Sequence, residues 1–415
     1  MIQPNPRSSS RLICALGLLL ALAPAAPAAE MEIQSLDGPV TAAEIGSFKS
    51  FIQQIQLPTS SWGGPGHHNQ IMDGESGQAV EAMGLMYEVS GDVQILNRMI
   101  DLVDRFVSLR NDLPAGSHRP MWDGIIHKTW LPSYPGMRDN TACGDHEDTV
   151  GHICYCAELI LQSKKLWNMT VPDGDPYHYG TTYRQRALTF IRMCDQNDDD
   201  FSLPIFIDAS NRIRQPPGWP ASGHNVDASN IQAMWRNGFQ RSEECHRLLA
   251  DEPWRVAKYH AINRVSVNTF LSGLHPYLAR GVTVYKWRYF ADKGDIESTN
   301  LHGAYDIWGI DRAYRNGTYG VPRSVMVTLA NTLMTVIYKG NGKFANSVDG
   351  SGAARNELLG YWMLLSEFNP AVFKATAEPH IERSSPGGAM RVNGVYNDAV
   401  ILWVKYHRFK GDFPS

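Results

Sequence analysis

The sequence lacks a basic patch. Its 38 Lys and Arg stand against 42 Asp and Glu, a net charge of −4 over 415 residues, and the cations nowhere gather into the stripe that nucleic acid demands. Past its N-terminus it also lacks any apolar run of the roughly eighteen residues needed to cross a bilayer. Cysteine is scarce: beyond Cys14 there are Cys143, Cys154, Cys156, Cys194 and Cys245, an odd number that leaves at least one free thiol in an exported protein. Cys154-Tyr-Cys156 is spaced too closely for a usual zinc pair, and no second pair completes one. These cysteines read as small buried hydrophobes, with room for one disulfide. Strand-like alternation is confined to Ile205-Phe-Ile-Asp208 and Val282-Thr-Val-Tyr285. No Pro/Gly/Ser-rich linker and no strict repeat period appear, which favours one domain over 29–415 and argues against a regular solenoid.

What is present begins with Arg7 and Arg11, the apolar run Leu12 to Ala23 and then Ala26-Pro-Ala28. That order is a secretory signal peptide, expected to be removed at 1–28. The sequons Asn168-Met-Thr170 and Asn316-Gly-Thr318 would carry glycans in a eukaryotic host. Helical spacing dominates the remainder. Ile95, Met99, Leu102, Val103 and Phe106 form one stripe within a helix over 93–109. Further helices are expected over 41–56, 77–89, 149–166, 182–194, 227–249, 254–274, 305–315, 322–338, 353–365 and 399–409. Pro253 and Pro322 stand where helices would begin. About a dozen helices joined mostly as antiparallel pairs predict an all-α protein, an (α/α) toroid whose long loops form a groove or tunnel.

Four stretches carry the reactive side chains. They are His67-His68-Asn69 with Asp73-Gly-Glu75, then Cys143-Gly-Asp-His-Glu-Asp148 leading to His152, then Trp219 to His224-Asn225. The fourth joins Tyr285-Lys-Trp-Arg-Tyr289 to His302, Tyr305 and Asp306, followed by Arg355 and Tyr361. His302, Tyr305 and Asp306 share a helical face, with Ile307, Ile310 and Ala313 as the apolar anchor on another side. His146, Glu147, Asp148 and His152 have ligand chemistry, but the two histidines are six apart and no HExxH occurs. The acidic run equally suits the start of a helix near Thr149. No cofactor is required on this reading, though carboxylates there are compatible with a structural calcium.

Two chemistries fit these residues. A glycoside hydrolase needs two carboxylates across the scissile bond, and Asp73, Glu75, Asp148 and Asp306 are available. A lyase on a uronic-acid polymer needs a cation or amide to neutralise the substrate carboxylate, a base for the C5 proton and an acid for O4. His224, Asn225, His302, Tyr305, Arg355 and Tyr361 supply that set. The bland alternative is that each Tyr and His is a satisfied core group.

The chain also resembles polysaccharide lyase family thirty-eight, among the toroidal alginate and glucuronan lyases. The likeness rests on Asp73-Gly-Glu75 with Glu81, Leu85-Met-Tyr-Glu-Val-Ser-Gly-Asp92 and Asp148-Thr-Val-Gly-His152. It continues through Trp167-Asn-Met-Thr-Val-Pro-Asp-Gly174, Val284-Tyr-Lys-Trp287, His302-Gly-Ala-Tyr-Asp306 and Asp349-Gly-Ser-Gly352 with Arg355. The resemblance implies an (α/α) toroid, secretion and β-elimination on an acidic polysaccharide, glucuronan or alginate. It implies Arg355 and Asn225 on the carboxylate, His302 as base and Tyr361 as acid, with Tyr305 or His224 in reserve. Trp62, His68, Asn69, Glu75, His146, Lys286, Trp287 and Arg288 are the expected substrate-binding set. A hydrolase on the same toroid and a non-catalytic glycan binder stand as the alternatives; neither nucleic acid nor a membrane is an expected partner.

Overall fold

A computed structural model of the chain describes residues 31–58, 75–131, 143–216, 228–290, 294–383, 390–392 and 394–414; the signal-peptide expectation falls outside them. The helices are α1 (Ala42–Ile52), α2 (Glu75–Ser90), α3 (Val93–Ser108), α4 (Cys143–Gln162), α5 (Tyr183–Asn197), α6 (Ser229–Leu249) and α7 (Pro253–Gly273). They continue with α8 (Leu301–Asn316), α9 (Arg323–Thr332), α10 (Ala371–Ala377) and α11 (Val395–Lys410), and a 3-10 segment, Gly360–Glu367, lies between α9 and α10.

Local chemistry accounts for where these begin. Thr41 and Glu44 close a capping box on α1, as Thr182 and Gln185 do on α5, satisfying backbone donors that the first turn leaves free. Asp92 caps α3 by accepting from the Gln94 backbone N–H, and Pro253 occupies the first turn of α7. The α3 stripe Ile95, Met99, Leu102, Val103 and Phe106 is fully buried, each side chain contributing roughly 1.5–3 kcal/mol.

The tertiary arrangement closes on itself. α2 packs on α4, α4 on α6, α6 on α8, α8 on the 3-10 segment, that segment on α11, and α11 returns to α2. This inner ring is sheathed by α3, α5 and α7, each backed against the helix preceding it, by α10 against the 3-10 segment and α11, and by α1 against α2 and α11. The protein is an all-α toroid, as expected from the paired amphipathic segments. Small antiparallel sheets decorate it: Glu32–Ile33 with Met390–Val392 and Ile381–Arg383, His275–Ala279 with Val282–Lys286, and Tyr338–Gly340 with Lys343–Phe344.

Three expectations need correction. The helix expected from Thr149 starts six residues earlier, because its acidic run finds partners inside the ring instead of capping the end. Ile205–Asp208 continues a π-helical turn and makes only an isolated bridge between Ile207 and Ile213. The stretch 353–365 is not a continuous helix. Gly350 and Gly352 take φ of +87° and +83°, and Arg355 exchanges backbone hydrogen bonds with Phe344 at 2.7 and 3.0 Å. Helical structure begins only at Gly360.

The connections are unequal. Most links leaving an inner helix are short, as at 91–92, 250–252, 317–322 and 368–370; links entering one are long, as at 53–74, 109–142, 274–300 and 338–359. Long connections build surface that short turns cannot, so the end where the inner helices start is the elaborated mouth.

Candidate functional site

At that mouth lies a hollow of 340 Å³ between the start of α8 and the strap leading into the 3-10 segment, with Asn300, Leu301, Arg355 and Glu357 in its wall and Gln78 of α2 closing it. Asn300 caps α8, its side-chain oxygen accepting from the His302 backbone N–H at 3.0 Å and from the Ser298 hydroxyl at 2.5 Å. Gly303 lets this turn form: a Cβ there would lie 2.3 Å from the Ser298 carbonyl oxygen. The result is a tight turn, Glu297-Ser-Thr-Asn300, whose Thr299 and Asn300 line the hollow.

Behind the turn sits an unusual group of buried charges. Glu297 is only 1 % exposed; its Oε1 accepts from the Ser298 backbone N–H at 2.7 Å, and its Oε2 has no partner among the described residues. Burial raises its pKa to about 7. Asp306, one turn into α8, accepts from Trp287 Nε1 at 2.7 Å, and its Oδ1 is likewise unpartnered among the described residues. Burial and then the charge of Glu297 drive the Asp306 pKa well up. Opposite, burial lowers the Arg236 pKa to about 10 against the pull of Asp306. Neutral carboxyls are the expected outcome when two acids share a dry site. His302 is half-exposed above them, its ring 5.0 Å from that of Tyr289 and its Nδ1 3.8 Å from Glu297 Oε1; partial burial lowers its pKa.

Of the residues nominated from sequence, Arg355 lines the hollow from the strap, its Nη1 donating to Asn346 at 3.3 Å, and His302 lies in the first turn of α8 next to Leu301 of the wall. Trp287 is not a stacking platform. It is 1 % exposed and serves as the donor to Asp306, while the alternation of an extended segment turns its neighbours Lys286 and Arg288 outward. Lys286 lies over the Tyr277 ring, and Arg288 donates to the Gly294 carbonyl. His146 is a core imidazole: its Nδ1 is 2.6 Å from the Trp130 carbonyl and its ring 4.9 Å from Phe201, and burial lowers its pKa to about 4. Glu75 opens α2. Trp62, His68, Asn69, His224, Asn225 and the hydrolase candidate Asp73 lie outside the described residues.

Tyr361 and Tyr305 belong to the bore. Both are buried, ring against ring at 5.3 Å, with Trp308 and Tyr396 completing an aromatic cluster. Next to them the inner helices contribute a charged layer. His152 stands between Glu81 at 3.2 Å and Asp148 at 3.3 Å, Arg312 pairs with Glu81 at 3.2 Å, and Asn237 joins Arg312 to Asp148 at 2.5 and 2.7 Å. Asp148 and His152 are therefore committed to one another. Among the described residues no group of three or more His, Cys, Asp or Glu is disposed to hold a metal ion. Cys154, Cys156, Cys194 and Cys245 are buried free thiols, in keeping with their reading as small hydrophobes.

Sequence reasoning passed over Glu297, Glu357 and Asn300. The available signal was an acidic residue immediately before a Ser-Thr-Asn helix start, which reads as a cap until burial is known.

No family model matches the chain, and no curated protein matches it. Two solved structures are similar to it. One is the glycoside hydrolase family 76 mannosidase from Bacteroides thetaiotaomicron VPI-5482, at 10 % identity over 89 % of this chain and 83 % of that one, with a TM-score of 0.46. The other is an inactive variant of the family 76 α-1,6-mannanase of a Salegentibacter species in complex with α-1,6-mannotriose, at 12 % identity over 87 % of this chain and 98 % of that one, with a TM-score of 0.44. At these scores neither transfers a residue role to this chain. The resemblance to polysaccharide lyase family thirty-eight, and with it the assignment as an alginate or glucuronan lyase, is corrected: the similar structures are described as hydrolases of family 76.

Proposed function

We propose that this chain is an exported glycoside hydrolase working at the mouth of the inner ring. The observation that carries the proposal is Glu357 in the wall of the hollow with Glu297 behind that wall: a buried carboxyl with a pKa of about 7, linked through Ser298 to Asn300 in the wall, and a carboxylate in the strap that is 60 % exposed. Carboxyls whose surroundings differ this much suit opposite roles in acid–base hydrolysis. Glu297 gives its proton to the departing glycosidic oxygen, Glu357 takes one from the attacking water, and the water's oxygen ends on the anomeric carbon. The reading requires no metal. The charged segment, apolar run and Ala-Pro-Ala at 1–28 support export.

The test is release of reducing ends from a panel of glycans that includes α-1,6-mannan, the polymer named for one of the similar structures. Glu297→Gln and Glu357→Gln should each lower the rate by about 10²–10⁴ with the melting temperature kept, because Gln copies the neutral carboxyl of Glu297. Wild-type activity should fall as pH rises through about 7, where Glu297 loses its proton. Full activity in both variants would overturn the assignment, and glycan binding without any reducing ends would make the protein a lectin-like toroid.

A further inference from the structure

The opposite end of the ring holds a second cavity, a funnel of 380 Å³ that descends from the last turns of α2, α4, α6 and α8 to Glu81 in the bore. Five carboxylates and three arginines line it. Three of the carboxylates are matched: Glu81 with Arg312, Glu158 with Arg241, and Asp311 with Arg315. Glu88 and Glu244 have no ion pair among the described residues. Glu88, open to solvent, accepts instead from the Tyr155 hydroxyl at 2.6 Å and from Trp403 Nε1 at 3.1 Å. Gln240 is only 3 % exposed, lines the funnel, and has neither its amide oxygen nor its amide nitrogen partnered among the described residues. A buried amide costs roughly 1–3 kcal/mol when unsatisfied, and here it borders a space that a ligand can enter.

The sign of the missing ligand follows from the surroundings. The carbonyl ends of the inner helices converge on this funnel, and helix C-termini favour positive charge. Its ring faces already hold cations: Arg241 lies 3.6 Å from the centre of the Tyr155 ring, Arg312 4.4 Å from that of Trp308, and Arg315 5.0 Å from that of Trp403. An anionic sugar would meet two carboxylates that no cation pairs directly among the described residues.

We propose that this funnel binds a small organic cation, an amine carried by a polyamine or an amino sugar, between Glu88, Glu244 and Gln240. The ammonium would pair with the two carboxylates and donate to the Gln240 amide oxygen, while the carbon skeleton would run along the funnel wall that Leu85, Trp308 and Trp403 help to line. The site is independent of the hydrolytic mouth, separated from it by the charged layer of Glu81, His152 and Arg312.

Titration calorimetry on the whole mature chain tests this, with spermidine and glucosamine as probes, and glucose and glucuronate as their neutral and anionic counterparts. One saturable site is expected for at least one amine, at least tenfold tighter than glucose or glucuronate, and weakened at least tenfold by Glu88→Gln and by Glu244→Gln. Both positions reach the rim, so these variants should fold; Gln240→Ala is the buried companion. Binding of spermidine alone identifies a linear amine site, and binding of glucosamine alone an amino-sugar site. Failure of both amines to saturate, glucose binding as well as glucosamine, or unchanged amine binding in both carboxylate variants would overturn the proposal. The readout is binding, so its failure leaves the hydrolytic reading untouched.

Discussion

At the scale of single residues, burial separates look-alikes. Tyr361, Tyr305 and His302 all carried the chemistry of a proton-transfer site in the sequence, yet only His302 reaches solvent. Tyr361→Phe should therefore leave activity per folded molecule unchanged, and leave stability equal or slightly higher, because the buried hydroxyl it removes has no hydrogen-bond partner among the described residues. Turnover and thermal melting on the same preparation check this; a hundredfold loss of turnover would return Tyr361 to the site. Glu297 shows the converse. In sequence it is one more acid before a helix, and its raised pKa arises only because the fold removes water from it.

At the scale of elements, α4 and α6 approach closely, and glycine permits it. A Cβ at Gly238 would lie 2.4 Å from the Glu147 backbone oxygen, and one at Gly151 2.3 Å from Asn237 Nδ2. Gly238→Ala should then push the helices apart and destabilise the protein by roughly 1–3 kcal/mol, the usual cost of overpacking, despite alanine's better helix propensity. A fall in the urea midpoint with an unchanged slope would show it; an unchanged or higher midpoint would mean that the two helices yield freely. The helices themselves were legible from periodicity. Their ends were less so where tertiary partners intervened, as at Cys143, where buried acids extend α4, and at Arg355, where an extended bridge to Phe344 displaces helix.

At the scale of the whole molecule, buried ionisable groups set how stability depends on pH. Burial alone would lower the His152 pKa, but Asp148 and Glu81 hold it up to about 9. Its contribution is therefore whole below about pH 6.5 and lost as pH rises through about 9. Burial raises Asp198 to about 8; it keeps a proton that an unfolded chain has released, so it too weakens the fold as pH climbs from about 4 to about 8. Glu81 acts in the other direction. Burial would raise its pKa, but Arg312 and His152 bring it down to about 2, so its contribution is whole above about pH 4.5 and lost as pH falls through about 2. The melting temperature should accordingly be higher at pH 5 than at pH 9, and His152→Gln should flatten the part of that decline between pH 6.5 and 9. A melting temperature that rises steadily to pH 9 would contradict this account.

The sequence by itself determined the helical class, the paired segments and the apolar stripes, because a period of 3.6 residues is a local property that each segment carries alone. It also concentrated His, Trp and Gly in the long connections that precede inner helices. It could not say which side chains look into the bore, the mouth or the funnel. A helical position is fixed relative to its own axis, whereas its radial direction is set only when α11 returns to α2 and closes the ring. That closure buried Tyr361, turned Trp287 from a surface ring into a donor for Asp306, and held Glu297 where its proton is retained near neutrality. Those outcomes depend on excluded water and on partners far apart in sequence, and so only the tertiary structure decided them.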